Sequence, residues 1–382
     1  MLLYFSILFG CLIISFGATN KNKKIESVII FLLALFFCGG YMTGSDWRNY
    51  ETYYSWIESG IGGLMMEPGY LYLSVIFYFL GISFWPFFII LKVSAFYCLL
   101  HFLRKYSNNY HFLIITFFLF IFGLYLFIDN PMRNLLAICI SYYSYQFLER
   151  KEWVKFFFIV VLAVSFHTSA ILLLLICPFY PIKWSNKSLF LLFIVFNVII
   201  VSFYEFLILK IIGSFTFIPI IEAKLLHYFI EGSGLDNNRL ISLGFIVQLI
   251  FFLLVLYKRR QIEENLPFGQ LVFWGTICYI FLYRIAAIVP IFYRLQLYMC
   301  VFYAVGVCYV FVSFVRKSNK ILYGTFVVCY LFYMTYSLIT SSYKFIPYTN
   351  HIQFINEALP YDYRSEYNHV NSPYEKNTKP SD

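Results

Sequence analysis

Long continuous apolar runs, not alternating ones, dominate the pattern along this chain. They fall near 2–18, 25–43, 67–83, 84–103, 111–128, 134–149, 154–181, 187–212, 239–257, 268–289, 292–314 and 321–341. A run of about 20 apolar residues is the length at which an α-helix crosses the hydrocarbon core of a bilayer. Strands of a membrane barrel would instead alternate apolar and polar positions. The pattern predicts an all-α, polytopic integral membrane protein with about 10–14 transmembrane or re-entrant helices. Residues 1–342 read as a single membrane domain, and 343–382 as a polar tail whose last stretch, from Asn368 on, reads as disordered. The first residues, MLLYFSILFG, carry no charged leader, so they read as an uncleaved first span.

Composition sharpens the class. Of 382 residues, 61% are hydrophobic and only 12% charged, half of what a soluble domain uses to keep its surface wet. A soluble enzyme with one anchor and a disordered chain are both excluded. The nine cysteines lie in or beside apolar runs without CxxC or Cys/His spacing, and read as small space-filling hydrophobes.

The net charge of +9 is concentrated in clusters at Lys21/Lys23/Lys24, Arg104/Lys105, Arg150/Lys151, Lys258/Arg259/Arg260 and Arg316/Lys317/Lys320. Basic loops mark the cytoplasmic side, and their scatter over separate loops argues against nucleic acid. Between the first two clusters lie three apolar runs, and between the third and fourth again three. Two loops on the same side need an even number of crossings, so one run in each interval must turn back. Run 67–83 opens Glu67-Pro68-Gly69 and is one candidate. Run 154–181, overlong, interrupted by His167 and ending in Pro178 and Pro181, is the other. This topology puts both termini outside, with polar loops near 44–66, 129–133, 213–238 and 284–294 forming the site.

No GxxxxGK[ST], HExxH, GxSxG or EF-hand pattern occurs, so chemistry must come from dispersed polar residues. In the loop after the second run, Asp46, Arg48, Tyr50, Glu51 and Tyr54 combine rings with charges, the composition a sugar site uses; an interfacial aromatic belt is the ordinary alternative. Glu67 opens a helix, where a carboxylate is favoured in any case. Arg133 follows a proline at an outer helix start and suits bidentate phosphate binding, unless it simply pairs with Asp129. His167 stands among apolar residues, where an ionisable group is a functional candidate by default. Arg284 and Arg294 bracket Pro290 and make a candidate anion clamp, or else contact lipid headgroups. The loop 213–238 adds Glu222, His227 and Asp236 as open candidates for sugar recognition. Outward arginines, scattered carboxylates and one histidine suit an anionic amphiphile, and they suggest no metal and no cofactor.

These residues also carry a resemblance. Gly44-Ser45-Asp46 with Tyr50 and Tyr54, Glu67-Pro68-Gly69-Tyr70, Arg133 with Leu136-Ala137, Phe166-His167-Thr168-Ser169-Ala170, Arg294 with Tyr298, and Pro347-Tyr348 follow in an order that resembles the EpsG-like bacterial polysaccharide polymerases. Many O-antigen polymerases belong to that group. The resemblance implies a metal-independent glycosyltransferase of the inner membrane, acting on its periplasmic face. It would move a growing glycan from undecaprenyl diphosphate to a sugar hydroxyl of the next lipid-linked repeat unit. Arg133, Arg284 and Arg294 would hold the diphosphate, His167, Asp46 or Glu67 would deprotonate or orient the acceptor, and Arg48, Tyr50, Glu51 and Tyr54 would meet sugars. The partners implied are the undecaprenyl-diphosphate-linked oligosaccharide and the bilayer, with room for a chain-length regulator. A lipid-linked glycan ligase shares this substrate, and a flippase of lipid-linked units is an alternative from another class.

Overall fold

Helices form where the sequence is continuously apolar, because a backbone group facing lipid must find its hydrogen-bond partner inside its own segment. The computed structural model describes residues 1–16, 23–59, 66–107, 111–180, 182–213, 242–288 and 291–374. Its helices Phe84–Tyr106, Phe112–Asp129, Gly269–Ala287, Phe292–Ser313 and Lys317–Thr340 are long and apolar enough to cross a membrane. Shorter apolar helices include Leu2–Phe16, Pro68–Phe79, Trp153–Phe166, Asn186–Ile200 and Leu243–Tyr257. Among the described residues there is no strand, only an isolated bridge between Gly40 and Asn350. The chain is therefore an all-α, multi-pass membrane protein.

Burial separates centre from edge. The Phe112–Asp129 segment is 94% buried and Lys317–Thr340 only 33%, so the first forms the axis of the bundle and the second its rim. Exposed apolar side chains such as Phe79, Val154 and Leu322 need lipid rather than water around them.

The charged residues sort to two ends. At one, Arg104 pairs with Glu26 at 2.7 Å, and Lys105 reaches Gln146 at 3.5 Å and lies over the Phe268 ring. Lys258 Nζ donates to the Ser313 carbonyl at 3.1 Å, and Arg259 to that of Trp184 at 2.6 Å. The described basic clusters thus share one face of the bundle. At the opposite end gather Asp46, Glu67, Arg133 and His167.

The two runs singled out by crossing parity each begin and end on one side of the bundle. Helix Pro68–Phe79 has 12 residues, about 18 Å of rise against about 30 Å of hydrocarbon. Both its ends lie at the site end: Glu67 meets Arg133 at 2.5 Å, and past Gly81, at φ +72°, the Ile82 carbonyl accepts from Tyr54 Oη at 2.6 Å. Helix Trp153–Phe166 rises from the basic end and breaks at His167, whose backbone is extended. The chain then descends through short helical turns over Thr168–Phe179, until the Tyr180 hydroxyl donates to Glu149 at the end where the run began.

The segment beyond Ser342 folds over the loop 39–51. Gly44 N–H donates to the Lys344 carbonyl (2.8 Å), Tyr41 N–H to that of Thr349 (2.9 Å) and His351 N–H to that of Gly39 (2.8 Å). Helix Tyr361–Asn371 is clamped by Arg364, which grips Glu51 through two bonds of 2.6 and 2.9 Å. The same guanidinium sits among the rings of Tyr41, Trp47, Trp85 and Tyr361. The expectation of disorder from Asn368 is corrected: the helix runs to Asn371, because Asn368 is buried and donates to the Lys344 carbonyl at 3.0 Å. Residues 375–382 lie outside the described residues.

Arg364→Ala would leave the partly buried Glu51 without its cation, a change that costs about 3–5 kcal/mol for a fully buried pair and less here. A clear fall in melting temperature of the detergent-purified protein is expected, and an unchanged melt would show that the clamp is not structural.

Candidate active site

Two glycines bring the site together. Gly69 lies so close to the end of helix Trp153–Phe166 that a Cβ there would stand 2.6 Å from Ser165 Oγ and 2.8 Å from the Ser165 carbonyl. With Pro68 preset for the first helical turn, this contact sets Glu67 beside His167. Gly44 has φ +85°, and a Cβ on it would strike the Ile128 carbonyl at 2.0 Å. That approach lets Ser45 hold Asp129 Oδ1 through its backbone N–H (3.1 Å) and its hydroxyl (2.8 Å). Asp46 is placed next to them.

Glu67 is the hub. Its Oε2 accepts from Arg133 Nη1 at 2.5 Å, and its Oε1 meets His167 Nδ1 at 3.1 Å. A carboxylate can only accept here, so Nδ1 carries the proton and Nε2 is left with its lone pair. Nε2 is buried and has no hydrogen-bond partner among the described residues. Arg133 is steadied from below by Tyr50, whose ring lies 5.7 Å under the guanidinium and whose hydroxyl accepts from the Arg133 backbone N–H at 3.4 Å. Beside the histidine, Ser169 Oγ and Tyr298 Oη are 3.0 Å apart.

Electrostatics divides the two carboxylates. Burial works to raise Glu67, but the hydrogen bond from His167 and the charge of Arg133 outweigh it and hold it down at about 2. Asp46 is pushed up to about 6 by burial and by the neighbouring Asp129, against the pull of Lys344 and Arg294. Burial also holds His167 below the ordinary histidine value, with Glu67 acting the other way, so the ring is neutral near pH 7. Arg294 lies on helix Ile291–Gln296, just before Tyr298, which meets Ser169 beside the histidine.

The other sequence candidates are placed differently. Arg284 does not form a clamp with Arg294 at this site. Its guanidinium lies over the Phe245 ring at 4.9 Å. Arg48 and Glu51 serve the C-terminal helix, Arg48 donating to the Ser365 carbonyl at 2.9 and 2.6 Å and Glu51 pairing with Arg364. Tyr50 is buried between Tyr70 and Phe88, and Tyr54 is stacked on Phe87. These four positions therefore pack the loop instead of offering rings to a sugar. The alternative pairing of Arg133 with Asp129 is not formed: Asp129 takes Lys344 at 2.8 Å, leaving Arg133 to Glu67. Glu222, His227 and Asp236 lie outside the described residues.

Lys344 and Asp129 escaped the sequence reading as members of one cluster. A lysine 215 residues away along the chain carries no local signal of its partner.

A helical membrane bundle with a partly buried Arg–Glu–His group at one end is a multi-pass membrane protein with a built polar site. The chain belongs to the EpsG family, whose family model matches residues 3–350. No curated protein and no solved structure matches it. The matched span includes Asp46, Glu67, Arg133, His167, Arg294 and Lys344.

The Asp46 shift gives a signed prediction. Its folded value lies above the ordinary carboxylate value of 3.8, so the folded state holds its proton longer, and stability falls as pH rises from about 4 to about 6. Asp46→Asn removes that loss. We expect the variant to be more stable than the parent by about 3 kcal/mol above pH 6 and equal to it below pH 4, read from unfolding at both pH values. A pH-independent difference would refute the assignment.

Proposed function

We infer that the protein is a glycosyltransferase that polymerises lipid-linked repeat units, an O-antigen type polymerase of the bacterial inner membrane with its site facing the periplasm. Family membership supports a polysaccharide polymerase in general terms. The gathering of the basic clusters at the opposite end supports the orientation, since basic loops stay in the cytoplasm. The observation that carries the reading is the buried Glu67–His167 pair with Nε2 open.

In this reading the donor is a glycan on undecaprenyl diphosphate and the acceptor a sugar hydroxyl of the next lipid-linked unit. His167 Nε2 takes the hydroxyl proton while the oxygen attacks the anomeric carbon, and the bond from that carbon to the diphosphate breaks. Glu67 keeps the imidazole in the required tautomer and offsets the imidazolium charge that forms. Arg133 and Arg294 meet the charge that develops on the departing diphosphate. The diphosphate is the leaving group, so the step draws on no nucleotide. A neutral base suits this role, because a protonated histidine could not accept.

Deletion of the gene followed by lipopolysaccharide gel analysis tests the function: core bearing one repeat unit is expected. Bare core with long glycan stranded on the carrier would indicate a ligase, bare core with single units a flippase, and a normal ladder would sink the reading. In the purified enzyme, His167→Ala is expected to lower turnover by about 10²–10⁴. Glu67→Gln should lower it less and flatten its pH profile. Full activity of His167→Ala at normal membrane levels would remove the histidine from the mechanism.

A further inference from the structure

Arg48, Tyr50, Glu51 and Tyr54 all have partners within the fold, whereas an open cavity lies elsewhere at this end. A cavity of about 440 Å³ opens beside Arg294, bounded among others by Tyr125, Tyr279, Tyr283, Tyr293 and Gln296. Ligand sites of small molecules begin at about 300 Å³, so the space suffices for one. Arg294 and Gln296 line the cavity, and Tyr298 just after them lies 3.0 Å from Ser169 Oγ, two residues past His167, which joins the cavity wall to the site.

We propose that this tyrosine-lined cavity is a sugar subsite, holding a pyranose of a lipid-linked unit against the Glu67–His167 pair. The proposal rests on the glycosyltransferase reading above and adds the place where its carbohydrate is bound. Three features favour a sugar over a lipid tail. Phenol rings offer flat apolar faces to the C–H side of a pyranose, while their hydroxyls meet its polar rim. Tyr125 and Tyr293 stand edge to face, with ring centroids 5.2 Å apart, which fixes both rings before a ligand arrives. Gln296 is buried and its Nε2 donates to the Tyr279 carbonyl at 3.2 Å, so its amide is oriented beforehand. A hydrocarbon chain would need none of these polar groups, and burying them against it would leave them unsatisfied. Ala286 and Ala287 keep part of the wall open.

The test uses the full-length protein in nanodiscs and two probes. One is the delipidated repeat unit, released by mild acid from the host's own lipid-linked pool. The other is undecaprenyl monophosphate, which has the tail and no sugar. Saturation-transfer NMR reports the first and a fluorescence titration the second. The parent should bind the oligosaccharide, and the Tyr279→Phe/Tyr293→Phe double variant, which keeps both rings, should bind it about tenfold or more weakly. Binding of undecaprenyl monophosphate should not change. Should the double variant fail to accumulate, Ala286→Phe, which fills the cavity from helix Gly269–Ile288, carries the same test and the same expectation.

Unchanged oligosaccharide binding would overturn the proposal, as would loss confined to undecaprenyl monophosphate, which would make the cavity a tail site. These outcomes are separable from the fate of the polymerase reading. Loss of oligosaccharide binding in the variant together with a normal ladder on gene deletion would keep the subsite and reject the polymerase. Unchanged binding with a one-unit deletion phenotype would do the reverse.

Discussion

One carboxylate organises the outer end of this molecule. Glu67 receives Arg133 on one oxygen and His167 on the other, joining its own segment to two that lie 66 and 100 residues further along the chain. Without it, the partly buried Arg133 would lose its counter-charge and His167 Nδ1 its hydrogen-bond acceptor, both unfavourable away from bulk water. The short helix after Glu67, the break at His167 and the proline before Arg133 can all be understood as the backbone forms that bring these three side chains within reach.

The same economy of charge runs through the rest of that end. Asp129 is matched by Lys344, Glu51 by Arg364, and Arg48 by a backbone carbonyl. Each pair ties the loop 39–51 or the end of helix Phe112–Asp129 to the segment after Ser342. Asp46 is the exception. It is buried next to a second carboxylate and pushed up to about 6, so the fold is less stable near neutrality than it could be. Groups held at such a disadvantage are found at functional sites more often than elsewhere, and Asp46 lies at the same end of the bundle as Glu67, Arg133 and His167, next to Ser45 and Asp129.

Parts of this arrangement were legible in the sequence. His167 stood out because an ionisable side chain inside an apolar run is conspicuous. The motif Glu67-Pro68-Gly69 announced a helix start, and parity of the basic clusters required two runs to turn back. Roles within the polar loop were not legible. Arg48, Tyr50, Glu51 and Tyr54 have the composition of a sugar site, yet their partners are Ser365, Arg133, Arg364 and Phe87. Composition cannot tell a ring that packs from a ring that waits for a ligand, since both are aromatic residues near charges. Tyr125, Tyr279 and Tyr293, which line the cavity, sit in apolar runs and carry no local signal of that placement.

The sequence by itself determined that this chain is a bundle of membrane helices, and where along it the basic clusters and the scarce charges inside apolar runs fall. Those properties follow from hydropathy and from the high energy of an unmatched charge in lipid, both of which act on each segment separately. Only the tertiary structure decided the pairings: Arg133 with Glu67 and not Asp129, Arg284 with Phe245 and not the site, Lys344 with Asp129 across the bundle. A charge in low dielectric takes whichever counter-charge the packing of distant helices brings within about 4 Å, and that distance is written nowhere along a single segment.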